Sequence, residues 1–130
     1  MITYRTDRHI TTAQLRQVYE AAGLHRRLDE SRLAAAIAGA DFLLTAWDDE
    51  RLVGACRGLT DYADVIYIAD LAVDQTYAKQ GIGRQLLQLV DELSGGDLNQ
   101  VLLASAVAAD YYAKVGFTKH PRGYFKAAED

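Results

Sequence analysis

The sequence has a single cysteine, few histidines and no long apolar run. Because Cys56 is the only cysteine among 130 residues, an internal disulfide is excluded, and its apolar neighbours predict a buried packing role. The histidines, His9, His25 and His120, lie far apart, so their spacing predicts no zinc site and we expect no metal cofactor. No apolar run approaches the roughly 20 residues that a membrane-spanning helix needs, so membrane association is not expected.

The N-terminus and the charge exclude further classes. Residues 1–5 lack a basic stretch followed by an apolar one, so we expect no secretory signal and a cytoplasmic location. The net charge is -4, and the clustered basic face typical of nucleic-acid-binding proteins is missing, so no nucleic-acid partner is expected. Arg26-Arg27 is the densest basic pair, and we interpret it as a solvated helix end or loop.

The residues that are present suit one soluble globular domain. Apolar residues make up 50% and charged residues 25%, and the length allows one core but not two ordinary domains. Apolar periodicity and turn residues predict the order β-α-α-β-β-β-α-β-α-β-β. The predicted strands are 2–6, 42–47, 51–58, 65–73, 101–104, 117–119 and 124–126; the predicted helices follow Thr11, Asp29 and Gly81 and cover 107–115.

This order predicts an α/β fold of the α+β mixed-sheet type, with helices on both faces. The strands 65–73 and 101–104 flank an amphipathic helix, so we expect them to be parallel with a right-handed crossover. Because the strand 101–104 is apolar on both faces, we expect it to be buried.

A turn with two glycines joins the strand 65–73 to the following helix. Gly81 and Gly83 would let a phosphate approach the unpaired N–H groups of the first helical turn. The alternative is that they only shape a tight turn. The residues do not fit a P-loop, which needs Gly-Lys-Ser/Thr where Arg84-Gln85 stands, or a dinucleotide fingerprint, which needs glycine at Leu86.

Two motifs resemble those of the GNAT superfamily of acyl-CoA N-acyltransferases. Leu71-Ala72-Val73, Tyr77 and the segment 79–84 resemble its pyrophosphate motif, and the segment 110–117 is similar to its aromatic-Tyr-x-x-x-Gly-Phe motif. The hairpin turn 49–54 also matches, so the resemblance covers nearly the whole chain. It implies one N-acetyltransferase domain over residues 1–130 with acetyl-CoA as co-substrate.

The resemblance also implies which residues bind the cofactor. The backbone of 79–84 would hold the pyrophosphate, and the strand edge at 71–73 would bind the pantetheine arm and the thioester carbonyl. The family often has Gln or Arg at Ala78 and Asn at Ser105. The expected cofactor-binding residues are Leu71, Ala72, Val73, Lys79, Gln80, Gly81, Ile82, Gly83, Arg84 and Ser105.

Two catalytic residues are expected. The resemblance selects Tyr112 as the general acid, since a phenol with a pKa near ~10 suits a departing thiolate. Asp70 is the one acid inside the strand 65–73 and would receive the amine, directly or through water; the alternative is a buried carboxylate bonded to backbone or a tyrosine. Tyr67 and Ala69 stand where the family sometimes has Glu or His, so we expect a water relay to Asp70, Tyr67 or a carbonyl.

The resulting hypothesis is an N-acetyltransferase in which a primary amine of a small molecule attacks acetyl-CoA directly. The acids of the loop 58–64 slightly favour a cationic amine. The alternatives are acetylation of a protein N-terminus or lysine, and a non-catalytic acyl-CoA-binding module. By analogy with relatives of this size, the hairpin 117–126 would form the edge of a homodimer.

Overall fold

Five strands form one mixed sheet in chain order. The computed structural model describes residues 1–24, 26, 28–106 and 108–129. The strands are β1 (Ile2–Arg5), β2 (Phe42–Asp48), β3 (Arg51–Thr60), β4 (Val65–Val73) and β5 (Asn99–Leu102). Neighbours from β1 to β4 pair antiparallel, whereas β5 pairs parallel to β4. The predicted mixed sheet and the parallel pair are therefore confirmed.

Helices cover both faces of this sheet. They are α1 (Thr12–Ala22), α2 (Glu30–Gly39), α3 (Ile82–Ser94) and α4 (Ala109–Lys114), with a 3-10 turn at Gln75–Tyr77. α1 begins with the capping box that the sequence predicts. The Gln14 backbone N donates to Thr11 Oγ1 at 3.1 Å, and the Thr11 backbone N donates to Gln14 Oε1 at 2.9 Å. The box gives partners to N–H groups that no carbonyl inside the helix can reach.

Two apolar clusters hold these layers together. On one face, Leu86 of α3 is buried against Ile66 of β4. On the other face, Leu15 of α1 and Leu33 of α2 are buried with Trp47 of β2. Burial of each such side chain contributes about 1.5–3 kcal/mol to folding. The prediction of helices on both faces is confirmed.

The prediction of a buried fifth strand is wrong. β5 begins two residues earlier than predicted, and its outer edge pairs with no strand of the described residues. Val101 and Leu103 are consequently 48% and 58% exposed. Apolar residues on both faces indicate burial only where other strands or helices cover the strand. The sequence of the strand alone does not show which elements lie beside it.

The two C-terminal strands predicted at 117–119 and 124–126 do not form in the described residues 108–129. Tyr124 and Phe125 are adjacent, so in a strand they would point to opposite faces; they are 99% and 69% exposed. Pro121 has no N–H to donate to a ladder. The hairpin proposed as a dimer edge is therefore absent from this structure. α4 begins at Ala109, and Val107 of the predicted helix lies outside the described residues.

The remaining structural expectations concern cysteine, metal and membrane. Cys56 is fully buried, which confirms its predicted position in the core. Within the described ranges, no cluster of three or more His, Cys, Asp or Glu residues is placed to hold a metal ion. No helix of the same residues is long and apolar enough to cross a bilayer.

Candidate functional site

A cleft of about 1170 Å³ opens where β5 diverges from β4. The parallel ladder ends at the pair Ile68↔Leu102, so the segment 69–73 has β3 on one edge and the cleft on the other. Binding pockets for small ligands have typical volumes of about 300–1,000 Å³. The space is therefore large enough for an extended cofactor together with an acceptor.

A β-bulge lies where this opening begins. Arg57 of β3 lies opposite Asp70, whereas the next residue, Gly58, lies opposite Ile68. Ala69 is therefore an extra residue in β4, and an extra residue reverses which face the following side chains point to. Ile66, Ile68 and Leu71 accordingly contact the cluster on the α3 side. Asp70, which is 2% exposed, instead faces α1.

The glycine turn forms one end of the cleft. Lys79 and Gly81 have positive φ angles of 65° and 78°, and no side chain caps the first turn of α3. Its first N–H groups thus lack partners from the helix, and the helix dipole adds positive potential. Lys79 and Arg84 border the same space, and no acidic residue stands in that turn. The arrangement suits a phosphate group.

Gly83 shows how closely this cradle is packed. A Cβ atom at Gly83 would lie 3.0 Å from the Tyr111 hydroxyl and 3.8 Å from a Val73 methyl group. Both neighbours border the cleft, so the missing side chain leaves room beside the helix terminus. The residues present therefore fit a pyrophosphate, as the resemblance implies.

Eight of the ten expected cofactor-binding residues border the cleft, among them Leu71, Val73 and Ser105. Ala72 and Gln80 do not. The Ala72 side chain is fully buried on the α1 side, which leaves only its main chain for a ligand. Gln80 is exposed.

Tyr111 and Tyr112 both border the cleft. Their ring centroids lie 5.4 Å apart in an edge-to-face contact, and Tyr112 makes a similar contact with Phe117 at 5.6 Å. Every buried side-chain N or O atom of the described residues has a hydrogen-bond partner. Since the structure shows no hydrogen bond from either phenol, neither hydroxyl is fully buried. Burial of the ring raises the pKa of Tyr112 to about 12.

Asp70 is the centre of an ion-pair cluster with Tyr19, Arg26 and Arg57. Arg57 Nε donates to Asp70 Oδ2 at 2.6 Å, and Arg26 Nε donates to Asp70 Oδ1 at 2.8 Å. The Tyr19 hydroxyl also donates to Oδ2. Burial alone would raise the pKa of Asp70, but the bonds from Tyr19 and Arg57 outweigh it and hold that pKa below its usual value. These contacts favour the alternative of a buried carboxylate bonded to a tyrosine.

The sequence did not point to Tyr19, Arg26 or Arg57 as site residues. Arg26 lies exposed in the connection between α1 and α2, as interpreted from the sequence, and its Nε also donates to Asp70 Oδ1 at 2.8 Å. Arg27 lies outside the described residues. The sequence did contain a usable signal. A single acid inside a buried strand needs a cation or several hydrogen-bond donors, and Arg57 is a cation within the apolar residues of β3.

Known proteins place this arrangement in a family. A model described as an acetyltransferase (GNAT) domain matches residues 39–119. The chain belongs to the GNAT acetyltransferase family. It is 31% identical over 113 residues to the chloroplastic GCN5-related N-acetyltransferase 2 of Arabidopsis thaliana, covering 85% of this chain but only 43% of that relative. This GNAT chain thus spans less than half the length of that protein.

Solved structures share its fold. A probable acetyltransferase from meticillin-resistant Staphylococcus aureus aligns over 100% of both chains with a TM-score of 0.87 and 22% identity. The PaiA N-acetyltransferase of Thermoplasma acidophilum, in complex with coenzyme A, aligns over 95% of this chain and 93% of its own, with a TM-score of 0.76 and 17% identity. At these identities the likeness establishes the GNAT fold.

Proposed function

We propose that this GNAT chain is an N-acetyltransferase that moves an acetyl group from acetyl-CoA to the primary amine of a small molecule. The observation that carries the proposal is the cleft itself. The edge of β4 beyond Ile68 has no strand partner on the cleft side among the described residues, the cleft continues to the uncapped terminus of α3, and Tyr112 borders it. The Thermoplasma neighbour binds coenzyme A, which supports the same ligand here.

The cofactor would be held mainly by main chain. The N–H groups from Lys79 to Arg84 would bind the pyrophosphate, and the free edge at 69–73 would bind the pantetheine arm. When bound, acetyl-CoA supplies an acetyl group whose C–S bond breaks as the amine forms its N–C bond. A backbone donor aimed at a developing oxyanion is worth about 3–4 kcal/mol.

Tyr112 would protonate the departing sulfur. With its pKa at about 12, the phenol keeps its proton at any working pH. That proton would pass to the coenzyme A sulfur as the C–S bond breaks, which leaves a neutral thiol and the Tyr112 phenolate.

The proton of the amine needs another route. Three donors already occupy the Asp70 carboxylate, and its lowered pKa makes it a weak base. A catalytic role for Asp70 stays a prediction, in which Asp70 would receive the amine proton only through a chain of water molecules. Tyr67 borders the cleft beside it, so water bound to Tyr67 or a main-chain carbonyl is the other route.

The test is a pair of variants measured with acetyl-CoA and a panel of amines. We expect Tyr112→Phe to lower kcat by about 10²-fold or more, with acetyl-CoA affinity unchanged. Tyr111→Phe is the matched control, because its ring also borders the cleft, and it should keep kcat within a few-fold. Wild-type kcat should not decline up to about pH 10 through loss of the Tyr112 proton. Equal rates in both variants would remove Tyr112 from the mechanism.

A further inference from the structure

The connection between β4 and α3 has little regular structure of its own. It covers residues 74–81, and its one regular element is the 3-10 turn Gln75–Tyr77. Lys79 has a left-handed backbone with a φ angle of 65°, which is unfavourable for a residue that carries a side chain. The shape of this connection, which leads into the glycine turn, therefore depends on contacts from other parts of the fold.

Those contacts come from the hairpin turn between β2 and β3. The Tyr77 hydroxyl donates to Asp48 Oδ2 at 2.6 Å, and Arg51 Nη2 donates to Asp74 Oδ2 at 2.8 Å. Asp48 and Arg51 are themselves paired where the two strands of the hairpin meet. The Asp74 backbone N also donates to the Val53 carbonyl at 2.9 Å. One hairpin thus holds the residue before the 3-10 turn and the last residue of that turn.

Asp74 is a buried carboxylate next to a site expected to bind an anion. It is 3% exposed and directly follows Val73, which borders the cleft. Burial alone would raise the pKa of Asp74, but the bonds from Thr76 and Arg51 outweigh it and hold that pKa below its usual value. Asp74 is therefore ionised at neutral pH. The positive charge of Arg51 balances it, which reduces the repulsion of a pyrophosphate bound nearby.

Tyr77 links these contacts to the cleft. Tyr77 borders the cleft, as does Lys79 two residues later. The partners Asp48, Arg51 and Asp74 do not border it. The bond to Asp48 raises the pKa of Tyr77, so the phenol keeps its proton and stays a donor to that carboxylate. The Arg51 guanidinium lies 5.9 Å from the centroid of the Tyr77 ring, so both residues of the hairpin turn contact this side chain.

We infer that the hairpin turn between β2 and β3 positions the pyrophosphate-binding turn, with Asp48 acting through Tyr77 and Arg51 acting through Asp74. The inference rests on the proposed function, because the pyrophosphate in question belongs to acetyl-CoA. Asp48 and Arg51 are positioning residues, since they fix the connection before a ligand arrives. A turn that is already held in its binding conformation loses less conformational entropy when the ligand binds.

The first experiment measures the binding of coenzyme A by calorimetric titration. Asp48→Ala removes the acceptor of the Tyr77 hydroxyl, and Tyr77→Phe removes the donor but keeps the ring. We expect each variant to bind coenzyme A at least tenfold more weakly than the wild type does. Asp48→Asn keeps an acceptor oxygen and should restore most of the affinity. Unchanged affinity in both Asp48→Ala and Tyr77→Phe would refute the inference.

Two controls keep this result specific. Glu50→Ala changes the same hairpin turn, but the Glu50 carboxylate accepts from Arg8 at 2.9 Å and not from the connection; its affinity should stay within twofold of the wild type. The double variant Asp48→Ala/Tyr77→Phe should lose no more affinity than either single variant, because both remove the same bond. A loss in Glu50→Ala equal to that in Asp48→Ala, or additive losses in the double variant, would overturn the assignment.

A shorter acetyl donor separates positioning of the turn from a general structural effect. S-acetylpantetheine carries the thioester and the pantetheine arm but lacks the pyrophosphate. Asp48→Ala and Arg51→Gln should each lower the ratio of kcat/KM for acetyl-CoA over S-acetylpantetheine at least tenfold. Arg51→Lys, which keeps a positive charge beside Asp74, should lower it less. An equal loss with both donors would show a general structural effect and overturn the inference.

The same measurements distinguish this inference from the proposed function. Weaker binding of coenzyme A to Asp48→Ala, without turnover of any amine by the wild type, would sustain the positioning role and refute the acetyltransferase proposal. Turnover of amines, with equal affinity for coenzyme A in wild type and variants, would do the reverse. No binding of coenzyme A to the wild-type protein would refute both.

Discussion

Replacing Gly83 with alanine tests the phosphate cradle directly. Gly83 is the second residue of α3 and does not have a positive φ angle, so alanine suits its backbone. The added Cβ would meet the Tyr111 hydroxyl at 3.0 Å. That atom is the end of a side chain whose hydroxyl is not fully buried, so it can shift by a few tenths of an ångström. We therefore expect the fold to accept the change.

Gly83→Ala should change folding stability and acetyl-CoA affinity in opposite directions. Alanine is favoured over glycine within a helix by up to about 1 kcal/mol, so Gly83→Ala should keep the melting temperature or raise it by a few degrees. The methyl group fills space between Tyr111 and Val73 where a phosphate would approach the backbone. We expect acetyl-CoA affinity to fall at least tenfold, which corresponds to about 1.4 kcal/mol.

Calorimetric titration with acetyl-CoA and thermal unfolding measure both effects. Gly39→Ala is the control, because Gly39 ends α2 and a Cβ there meets nothing within 4 Å; it should leave affinity unchanged. The double variant Gly83→Ala/Tyr111→Phe relieves the contact with the hydroxyl but leaves the methyl group in the cradle, so affinity should stay low. Unchanged affinity in Gly83→Ala, or recovery in the double variant, would refute the reasoning.

Two further predictions concern the buried groups. Because the pKa of Asp70 is lowered on folding, its ion pairs contribute stability above the unfolded pKa of about 3.9, and this contribution is lost as the pH falls through the folded pKa. Asp70→Asn should therefore cost on the order of 3 kcal/mol at pH 7 and less near pH 3 in urea unfolding; an equal cost at both values would contradict this. Cys56, fully buried and with its thiol pKa raised to about 12, should resist a thiolate-specific reagent at pH 8 until the protein is unfolded. Rapid labelling of the native protein would contradict its burial.

Local patterns were sufficient for most of the fold. The strand 65–73 has the bounds predicted for it, because its branched and aromatic residues are bounded by polar ones. The helix after Gly81 was predictable from its apolar stripe and its closing glycines, and the capping box at Thr11 from four consecutive residues. In each case the residues that determine the structure are neighbours in the chain.

The exposure of β5 at the edge of the sheet is decided by residues distant from it in the chain. Apolar residues at 101–104 are typical of a strand between two neighbours, but the segment that would cover β5 contains Pro121 and two adjacent aromatic residues. Whether a strand is covered is decided by a different part of the chain, so its own periodicity could not reveal that Val101 and Leu103 would be exposed.

The bulge at Ala69 explains why the role of Asp70 was left open by the sequence. Counting alternate residues along an unbroken strand places Asp70 on the same face as Ile66 and Ile68. One extra residue reverses that alternation, turns the carboxylate toward Tyr19 and Arg57, and coincides with the last pair between β4 and β5. The same extra residue thus lies at the edge proposed to bind the cofactor and sets the direction of the Asp70 carboxylate. A deletion at Ala69 would alter both features together, which substitutions at either one alone would not do.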